Sequence, residues 1–469
     1  MNKRTVFYHG LLKRFFKMFQ SVVYQGVPIS KYIYYDLLAY CGDLWFSRHP
    51  EYVQEILQNE PVVKPDIYGW TDEPYVYDAH PDGVILMRGG FGDIAALFLP
   101  KERFFLLSPG QAEVDLIKRN RPDLTSHNFQ SYYRPNPAAA LALTQQITQI
   151  VMGRRDDPML GSAEFLQWFQ GKLSDIVTVL DAAQTLFQRL NVGAVLTISS
   201  IYSMDGALNL VARANRVPSL TLQHGVISAA DLFTHVPILA TKKLVWGNAM
   251  VKWYQKCGYP QERIAAVGSP RFDIVFNRQW CGREKLRQTL GIDSSQKVMV
   301  FAAQIYHYNQ TILPIVLEAL QSIPDLFLVV LLHPGDDPIP HEKLTAGYPN
   351  CKVVRFGQIS LYDALSGADL FATYYSTAAL EAMFFNLPII TVEPSPPRFS
   401  FGAAGASITV TNSTELFKVV ARLLADPVYR QRAVAKYQNF LAQYCIPDGC
   451  ASKRLFDEVE QLCRQGGTV

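Results

Sequence analysis

The sequence predicts an α/β protein with two doubly wound domains that face a cleft, a helical preface before them and helices after them. Short apolar runs alternate with segments of helical period between residues 83 and 267. A second series of the same kind runs from residue 298 to residue 410. Strands that alternate with helices form parallel sheets covered on both faces. The length of 469 residues also favours more than one core.

The order of these patterns predicts where each domain begins and ends. The expected segments are a preface at 1–80, a first α/β domain at 81–277, a linker at 278–295, a second α/β domain at 296–425 and C-terminal helices at 426–469. The predicted strands of the first domain are Gly83–Met87, Arg103–Leu107, Ala194–Ile198, Ser219–Leu222, Lys243–Trp246 and Ile264–Val267. Those of the second are Val298–Ala302, Leu326–Leu332, Lys352–Phe356, Leu370–Thr373, Pro388–Val392 and Ser407–Val410. Ligands of such sheets bind at the carboxyl ends of the strands, so the residues there are the first candidates for a site.

Composition excludes several classes of protein. Hydrophobic residues make up 49% and charged residues 18%, which is typical of a globular chain. A net charge of +3 does not favour a nucleic-acid partner. The 7 cysteines are far apart and form no CxxC pair, which predicts free thiols in a reducing compartment and no structural zinc. No apolar stretch has the length of a transmembrane helix or the pattern of a signal peptide, so we expect a cytoplasmic location.

The first 20 residues leave two interpretations open. A basic amphipathic helix could lie on an anionic membrane surface, giving peripheral contact with the inner face of the cytoplasmic membrane through residues 1–20. Alternatively, the helix packs on its own domain with its lysines outward. The basic residues are Lys3, Arg4, Lys13, Arg14 and Lys17, which alternate with Phe7, Leu11, Leu12, Phe15, Phe16, Met18 and Phe19.

The stretch Asp369–Met383 predicts a buried strand that ends in Ser376 and Thr377, where a helix begins. Free backbone N–H groups and the positive end of the helix dipole favour a phosphate at such a point. Neither hydroxyl residue is followed three positions later by Glu or Gln, so no capping box is expected. The first acid of the helix is Glu381, about one turn further in. The alternative is that Ser376 is an ordinary N-cap.

A glycine-rich turn follows the first predicted strand. Gly89, Gly90 and Gly92 allow a tight turn and a close approach to a ligand, and Asp93 follows them. These residues are candidates for an acceptor or phosphate loop. The alternative is a tight connection between a strand and a helix.

Three further strand ends carry residues suited to chemistry. His224 follows the strand Ser219–Leu222, where an imidazole could serve as a general base, although a lone histidine is often structural. His333 follows an apolar strand and precedes Pro334, which favours an extended backbone at His333, and its side chain could neutralise a phosphate. Arg271 lies in a turn where it could clamp an anion or remain solvated.

The order of these motifs resembles that of the GT-B-fold glycosyltransferases of bacterial surface polysaccharides, which have two Rossmann-like domains. The group includes capsule transferases, sialyltransferases with an HP motif and teichoic-acid glycerophosphotransferases. The non-hydrolysing UDP-N-acetylglucosamine 2-epimerases share the scaffold. The likeness covers about residues 190–400 and depends on Gln223–Gly225, Gly268–Asp273, His333-Pro334 and Ser376-Thr377 with Leu380–Ala382.

The resemblance implies roles for individual residues. His333, Ser376 and Thr377 would bind the nucleotide phosphates, Glu381 would lie near the ribose, and His224 would be the base. Here Tyr374 and Tyr375 precede Ser376, where those transferases often have small or acidic residues. An aromatic side chain at this point could stack on a nucleobase or pack in the core.

These observations predict an inverting, metal-independent glycosyltransferase that moves a sugar or a related group. Its donor would be a nucleotide sugar, used as substrate without a further cofactor, and its acceptor would be a glycan or a lipid-linked glycan. One alternative is a sugar-nucleotide 2-epimerase, which would need acids in the cleft such as Asp93, Asp205 or Asp231. Another alternative is a non-catalytic relative that binds a nucleotide or a glycan.

Overall fold

Two parallel β-sheets with helices on both faces form the body of the protein. The computed structural model describes residues 3–60, 74–228, 232–280, 282–333, 336–355 and 357–469. The strands are β1 (Val23–Tyr24), β2 (Val27–Pro28), β3 (Val76–Tyr77), β4 (Val84–Arg88), β5 (Phe104–Ser108), β6 (Ser126–Asn128), β7 (Val192–Thr197), β8 (Ser219–Leu222), β9 (Lys242–Val245), β10 (Ile264–Ala266), β11 (Lys297–Ala302), β12 (Leu326–Leu331), β13 (Cys351–Val354), β14 (Leu370–Thr373), β15 (Ile389–Val392), β16 (Ile408–Val410) and β17 (Gly467–Thr468).

Helices connect the strands and cover the sheets. They are α1 (Lys3–Met18), α2 (Ile29–Tyr32), α3 (Tyr34–Arg48), α4 (Pro50–Asn59), α5 (Gly92–Phe98), α6 (Gln111–Asn120), α7 (Pro137–Met152), α8 (Ala163–Arg189), α9 (Ser203–Ala214), α10 (Leu232–His235), α11 (Asn248–Lys256), α12 (Pro270–Asn277), α13 (Gly282–Leu290), α14 (Tyr306–Gln321), α15 (Pro338–Thr345), α16 (Leu361–Gly367), α17 (Ala378–Phe384), α18 (Ser413–Ala425), α19 (Pro427–Tyr444) and α20 (Ala451–Arg464). Across the described residues, no helix combines the length and the apolar character needed to cross a membrane.

The first sheet has the strand order β10-β9-β8-β7-β4-β5-β6, and all of its neighbouring strands are parallel. It contains the six predicted strands, with ends that differ by no more than about two residues. Strand β6, which is polar and half-buried, was not among the predicted strands. A strand at the edge of a sheet needs no continuous apolar run, because one of its sides has no partner.

The second sheet has the order β13-β12-β11-β14-β15-β16 and is also parallel throughout. Strands β12, β14 and β15 are buried along their whole length, as the uninterrupted apolar runs predict. Two doubly wound sheets with their connecting helices confirm the predicted fold class.

The N-terminal helix α1 is a core element. Phe7, Leu11 and Phe15 on this helix have no exposed surface. The ring of Phe15 lies 6.1 Å from that of Phe169 on α8. The apolar face of residues 1–20, for which the sequence left a membrane surface and the protein's own domain as two open interpretations, is therefore buried against the rest of the chain. The structure supports the alternative, a helix that packs on its own domain.

The segment predicted as a linker, residues 278–295, contains the helix α13. Gly282 at its start lies so close to α16 that an added Cβ would fall 2.5 Å from the backbone of Ser366. Only glycine fits this approach without a shift of the backbone. Helix α20, at the end of the chain, returns to the first sheet, where Glu460 pairs with Arg103 at 2.9 Å.

Candidate functional site

A cavity of about 850 Å³ opens between the carboxyl ends of the second sheet and the loop after β8. Its walls come from the segments that follow β8, β10, β11, β12, β13, β14 and β15. The predicted phosphate and ribose residues all line this cavity: Arg271, His333, Ser376, Thr377 and Glu381. The volume lies within the usual range for small-molecule sites.

Ser376 and Thr377 lie between β14 and α17. The hydroxyl of Ser376 accepts a hydrogen bond from the N–H of Ala378 at 3.3 Å. The N-cap of the helix is Thr377, which makes no side-chain capping hydrogen bond, so Ser376 is not the ordinary N-cap of the alternative interpretation. Ser376 precedes the cap and lines the cavity. Because α17 has only 7 residues, its dipole contributes less than a long helix would. For the binding of an anion at this point, the hydroxyl groups and the nearby cations contribute more than the helix dipole does.

Glu381 is the buried acid of the cavity and has two partners. Its side chain is 4% exposed, and Oε2 lies 3.2 Å from the guanidinium of Arg271. The hydroxyl of Tyr362 lies 2.9 Å from Oε1 and 3.1 Å from the carbonyl oxygen of Arg271. Burial raises the pKa of Glu381, and the charge of Arg271 opposes that shift. This cluster connects α12, which follows the first sheet, to α16 and α17.

Three basic groups besides Arg271 line the cavity: His333, Arg355 and Arg398. His333 is exposed at the end of β12, whereas Pro334 and Gly335 lie outside the described residues. The guanidinium of Arg355 donates to Glu342 at 2.8 and 3.0 Å. The hydroxyl of Ser228 donates to the carbonyl oxygen of Arg398 at 2.5 Å, which joins the loop after β8 to the loop after β15.

Four residues of the cavity were not predicted from the sequence: Ser228, Arg355, Tyr362 and Arg398. Arg398 follows the proline-rich run Pro394–Pro397, and this run at a strand end was a signal of a shaped loop. For Ser228, Arg355 and Tyr362, the only signal in the sequence was a position that follows a strand.

The two tyrosines before Ser376 have different environments. Tyr374 is 4% exposed, and its hydroxyl lies 3.1 Å from that of Ser395. Tyr375 lines the cavity, with its ring at a steep angle to that of Tyr308, 5.8 Å away. Only Tyr375 is therefore placed to contact a ligand in the cavity.

His224 lies outside the cavity lining, in the loop whose later residues Val226 and Ser228 form part of the wall. Its Nδ1 lies 2.8 Å from the carbonyl oxygen of Ile198. A carbonyl can only accept, so Nδ1 carries the proton and Nε2 presents a lone pair. His224 keeps an exposed surface. Desolvation by the protein atoms around its ring lowers its pKa, and the nearby charges of Lys243 and Arg88 lower it further. The side chain thus has the protonation state of a base.

A buried carboxylate fixes the backbone that binds His224. Asp205 has no exposed surface, and its Oδ2 accepts hydrogen bonds from the N–H groups of Ile198 and Ser199 at 3.1 and 3.2 Å. Its Oδ1 pairs with Arg88 at 3.3 Å. Asp205 therefore supports the same turn that holds the imidazole of His224.

The glycine loop after β4 is largely determined by packing. A Cβ on Gly89 would lie 2.6 Å from side-chain atoms of Ile117 and Ser108, and one on Gly92 would lie 2.8 Å from Leu106. At Gly90 an added Cβ would meet open space. Asp93 is exposed and pairs with Arg121 at 2.7 Å. None of the four lines the cavity.

The acids considered for an epimerase do not come together in the described residues. Asp205 is engaged with Arg88 and Asp93 with Arg121, and Asp231 lies outside the described residues. Across the described ranges, no group of three His, Cys, Asp or Glu side chains is placed to bind a metal ion.

Residues 244–461 match the family model of CDP-glycerol:poly(glycerophosphate) glycerophosphotransferases. The match includes the second sheet and every residue that lines the cavity except Val226 and Ser228. The sequence matches no curated protein significantly. The family match supports the resemblance to transferases of surface polymers.

Solved structures with the same fold include both epimerases and a transferase. The UDP-GlcNAc 2-epimerase from Neisseria meningitidis bound to UDP-GlcNAc is 13% identical, with a TM-score of 0.52, over 80% of this chain and 98% of that one. MnaA of S. aureus in complex with UDP has 13% identity and a TM-score of 0.54, over 80% of this chain and 96% of that one. A glycosyltransferase from Rickettsia africae has 11% identity and a TM-score of 0.50, over 82% of this chain and 100% of that one. At these identities the similarity to the solved structures establishes the GT-B fold. Together with the family match, this fold confirms the resemblance to GT-B transferases of bacterial surface polymers.

Proposed function

We propose that the protein is a transferase that uses a nucleotide-activated donor. The nucleoside diphosphate part of the donor occupies the cavity, and the acceptor hydroxyl approaches from the side of His224. One observation carries this proposal: residues from three separate motifs, represented by Arg271, His333 and Ser376, line a single cavity at the carboxyl ends of the second sheet. In doubly wound sheets this is the usual position of a nucleotide.

The basic groups of the cavity suit a donor that leaves as a phosphate. Negative charge develops on the leaving group during transfer, and donors that are already in place stabilise it. Arg271 and His333 reach the cavity from two different segments, and Ser376 and Thr377 add hydroxyl groups. This set needs no metal to offset the charge of the diphosphate.

His224 is the proposed general base. Its Nε2 lone pair would accept the proton of the acceptor hydroxyl as the oxygen attacks the donor. With a sugar donor, the acceptor oxygen would attack the anomeric carbon in a single displacement. Such a displacement inverts the configuration of that carbon, so the proposed reaction is inverting. Asp205 acts through the backbone at Ile198 and Ser199 and is a positioning residue.

The family match favours an activated glycerophosphate over an activated sugar as the donor. With CDP-glycerol, the acceptor oxygen would attack the phosphorus that bears the glycerol, a new P–O bond would form, and CMP would leave. With a nucleotide sugar, the oxygen would attack the anomeric carbon and a nucleoside diphosphate would leave. The nucleotide that is released therefore identifies the reaction.

The test incubates the protein and a poly(glycerophosphate) or glycan primer with either CDP-glycerol or UDP-sugars, and separates the released nucleotides by ion exchange. We expect CMP from CDP-glycerol, and a release that is slower by about 10²–10⁴ with His224→Ala. Release of UDP from a UDP-sugar with growth of the glycan primer would instead establish the glycosyltransferase. No release from any donor, while nucleotides still bind, would make the protein a non-catalytic binder and overturn the proposal.

The epimerase alternative shares the fold of several solved structures. It predicts conversion of UDP-N-acetylglucosamine alone, without an acceptor, to its 2-epimer. An NMR spectrum of the sugar after incubation would detect the new epimer. We expect no conversion, because Asp93 and Asp205 are paired with arginines away from the cavity.

A further inference from the structure

Two polar side chains lie buried behind the cavity and connect the loops that follow β11 and β12. Asn309 belongs to the first turn of α14 and His341 to α15, and neither has exposed surface. The Nδ2 of Asn309 lies 2.9 Å from the Nε2 of His341. Neither residue lines the cavity, and the reaction proposed above does not use them.

The hydrogen bonds around this pair determine which atoms donate. The N–H of Gln304 donates to Oδ1 of Asn309 at 3.1 Å, so the amide oxygen must face Gln304. The Nδ2 group then donates to the carbonyl oxygen of Gln304 and to Nε2 of His341. Because Nε2 accepts, the ring proton lies on Nδ1, which donates to the carbonyl oxygen of Asp337 at 3.0 Å.

Each member of the pair holds the loop that precedes its own helix. Asn309 binds both backbone groups of Gln304, which lines the cavity. His341 binds the backbone of Asp337, and Oδ2 of the neighbouring Asp336 lies 3.4 Å from its Nε2. The N–H of Asp336 in turn donates to the carbonyl oxygen of His333, another lining residue, at 3.0 Å. The hydrogen bond between Asn309 and His341 thus joins the two loops.

We propose that Asn309 and His341 form a bracket that fixes the spacing of the two loops and thereby prepares the cavity for a nucleoside diphosphate. This role, which rests on the proposed function, makes both residues positioning residues. Removal of one partner leaves the other polar group unsatisfied in a buried environment. The loops then shift apart, and the groups at Gln304 and His333 no longer converge on the same ligand.

The first experiment measures hydrogen–deuterium exchange of the protein without nucleotide. Asn309→Leu should raise the exchange of peptides covering residues 303–308 and 336–341. The matched control is Asn350→Leu, which removes a side-chain hydrogen bond to the carbonyl oxygen of Leu326 at the opposite end of the same sheet. Equal exchange of both loops in Asn309→Leu and in the parent protein would overturn the bracket.

The second experiment measures the affinity for CDP and for UDP by calorimetry. We expect Asn309→Leu and His341→Leu to raise the Kd of the preferred nucleotide about tenfold. His341→Gln, whose amide oxygen can still accept from Asn309, should retain more affinity than His341→Leu. An unchanged Kd in Asn309→Leu would overturn the role in binding. A parent protein that binds neither nucleotide would overturn the proposed function, whereas the exchange data would still decide whether the bracket holds the loops.

Discussion

Arg271 and Glu381 form an ion pair of 3.2 Å in the wall of the cavity, although they are 110 positions apart in the sequence. The carboxylate is almost fully buried, and the guanidinium is half exposed. Arg271 is therefore free on one side to contact a ligand, while Glu381 depends on its partners to remain charged. The pair places a cation and an acid next to each other where a nucleotide would present phosphates and ribose hydroxyls.

Substitution of Arg271 should weaken the binding of phosphates selectively. We expect Arg271→Met to lose about 1.5–3 kcal/mol of binding free energy for a nucleoside diphosphate, which is a factor of roughly 10–100. The loss should be smaller for the nucleoside alone, because the removed contact is to phosphate. Calorimetric titrations with CDP and cytidine measure both. Equal losses for the two ligands would indicate a general disturbance of the cavity.

Substitution of Glu381 should affect recognition of the ribose. The parent protein should bind CDP more tightly than its 2′,3′-dideoxy analogue, because a carboxylate accepts hydrogen bonds from ribose hydroxyls. In Glu381→Gln this difference should shrink by about 1 kcal/mol. The measurement is the ratio of the two Kd values in each protein. A ratio that is the same in both would place the ribose elsewhere.

The proposed base predicts a loss of turnover without a loss of binding. His224→Ala should lower the transfer rate by about 10²–10⁴, the usual contribution of a general base. The Kd for the nucleotide should remain within about twofold of the parent value, because His224 does not line the cavity. A large rise in Kd would assign His224 to the nucleotide site instead.

The pH dependence of the rate follows from the lowered pKa of His224. A base acts in its neutral form, so activity should fall on acidification only below the ordinary histidine value of about 6.5. Lys243, which is 5% exposed, contributes a positive charge that lowers this pKa. Lys243→Met should therefore move the acid limb of the pH–rate profile to higher pH. An acid limb that does not move would show that Lys243 has no influence on the base.

The sequence predicted the sheets well because their strands are buried on both faces. The structure has the predicted bounds at Ser219–Leu222 and Leu370–Thr373. The structure differs from the prediction where the apolar signal is weak, as in β6, and where a helix was not predicted, as in α8. Helix α8, Ala163–Arg189, has buried residues at helical spacing, including Phe165, Phe169 and Leu173. This period was a signal that could have revealed the helix.

The cavity was predictable to the extent that its residues follow strands. Ser376 and His333 were found because parallel strands bring their carboxyl ends to one edge. Tyr362 and Arg398 lie on segments whose place depends on how helices and loops pack, and no spacing rule identifies them. The bracket of Asn309 and His341 connects two helices and depends on the three-dimensional arrangement in the same way. The sequence left two interpretations of α1 open because an amphipathic pattern does not specify what covers its apolar face.

The burial of α1 predicts that its aromatic residues stabilise the fold. Phe15→Ala should lower the free energy of unfolding by about 3–5 kcal/mol, the usual effect of removing a buried phenyl ring. Leu141→Ala, at a side chain that is 58% exposed, serves as the control and should change stability by less than about 0.5 kcal/mol. Urea titrations followed by circular dichroism measure both. A Phe15→Ala protein as stable as the parent would show that α1 does not belong to the core in solution.

Stability should fall in mild acid because a buried histidine resists protonation. His9 has no exposed surface, and burial lowers its pKa to about 4. Between this value and the ordinary one of about 6.5, the unfolded chain binds a proton that the native chain does not. The free energy of unfolding then rises with pH, so acidification from pH 6.5 to 4 should lower the stability by about 3 kcal/mol at this residue.

His9→Leu should remove that part of the pH dependence, whereas His49→Leu, at an exposed position, should leave it unchanged. Unfolding curves of the three proteins at half-unit pH intervals provide the test, and identical pH dependence in His9→Leu and the parent would contradict the neutral state of His9.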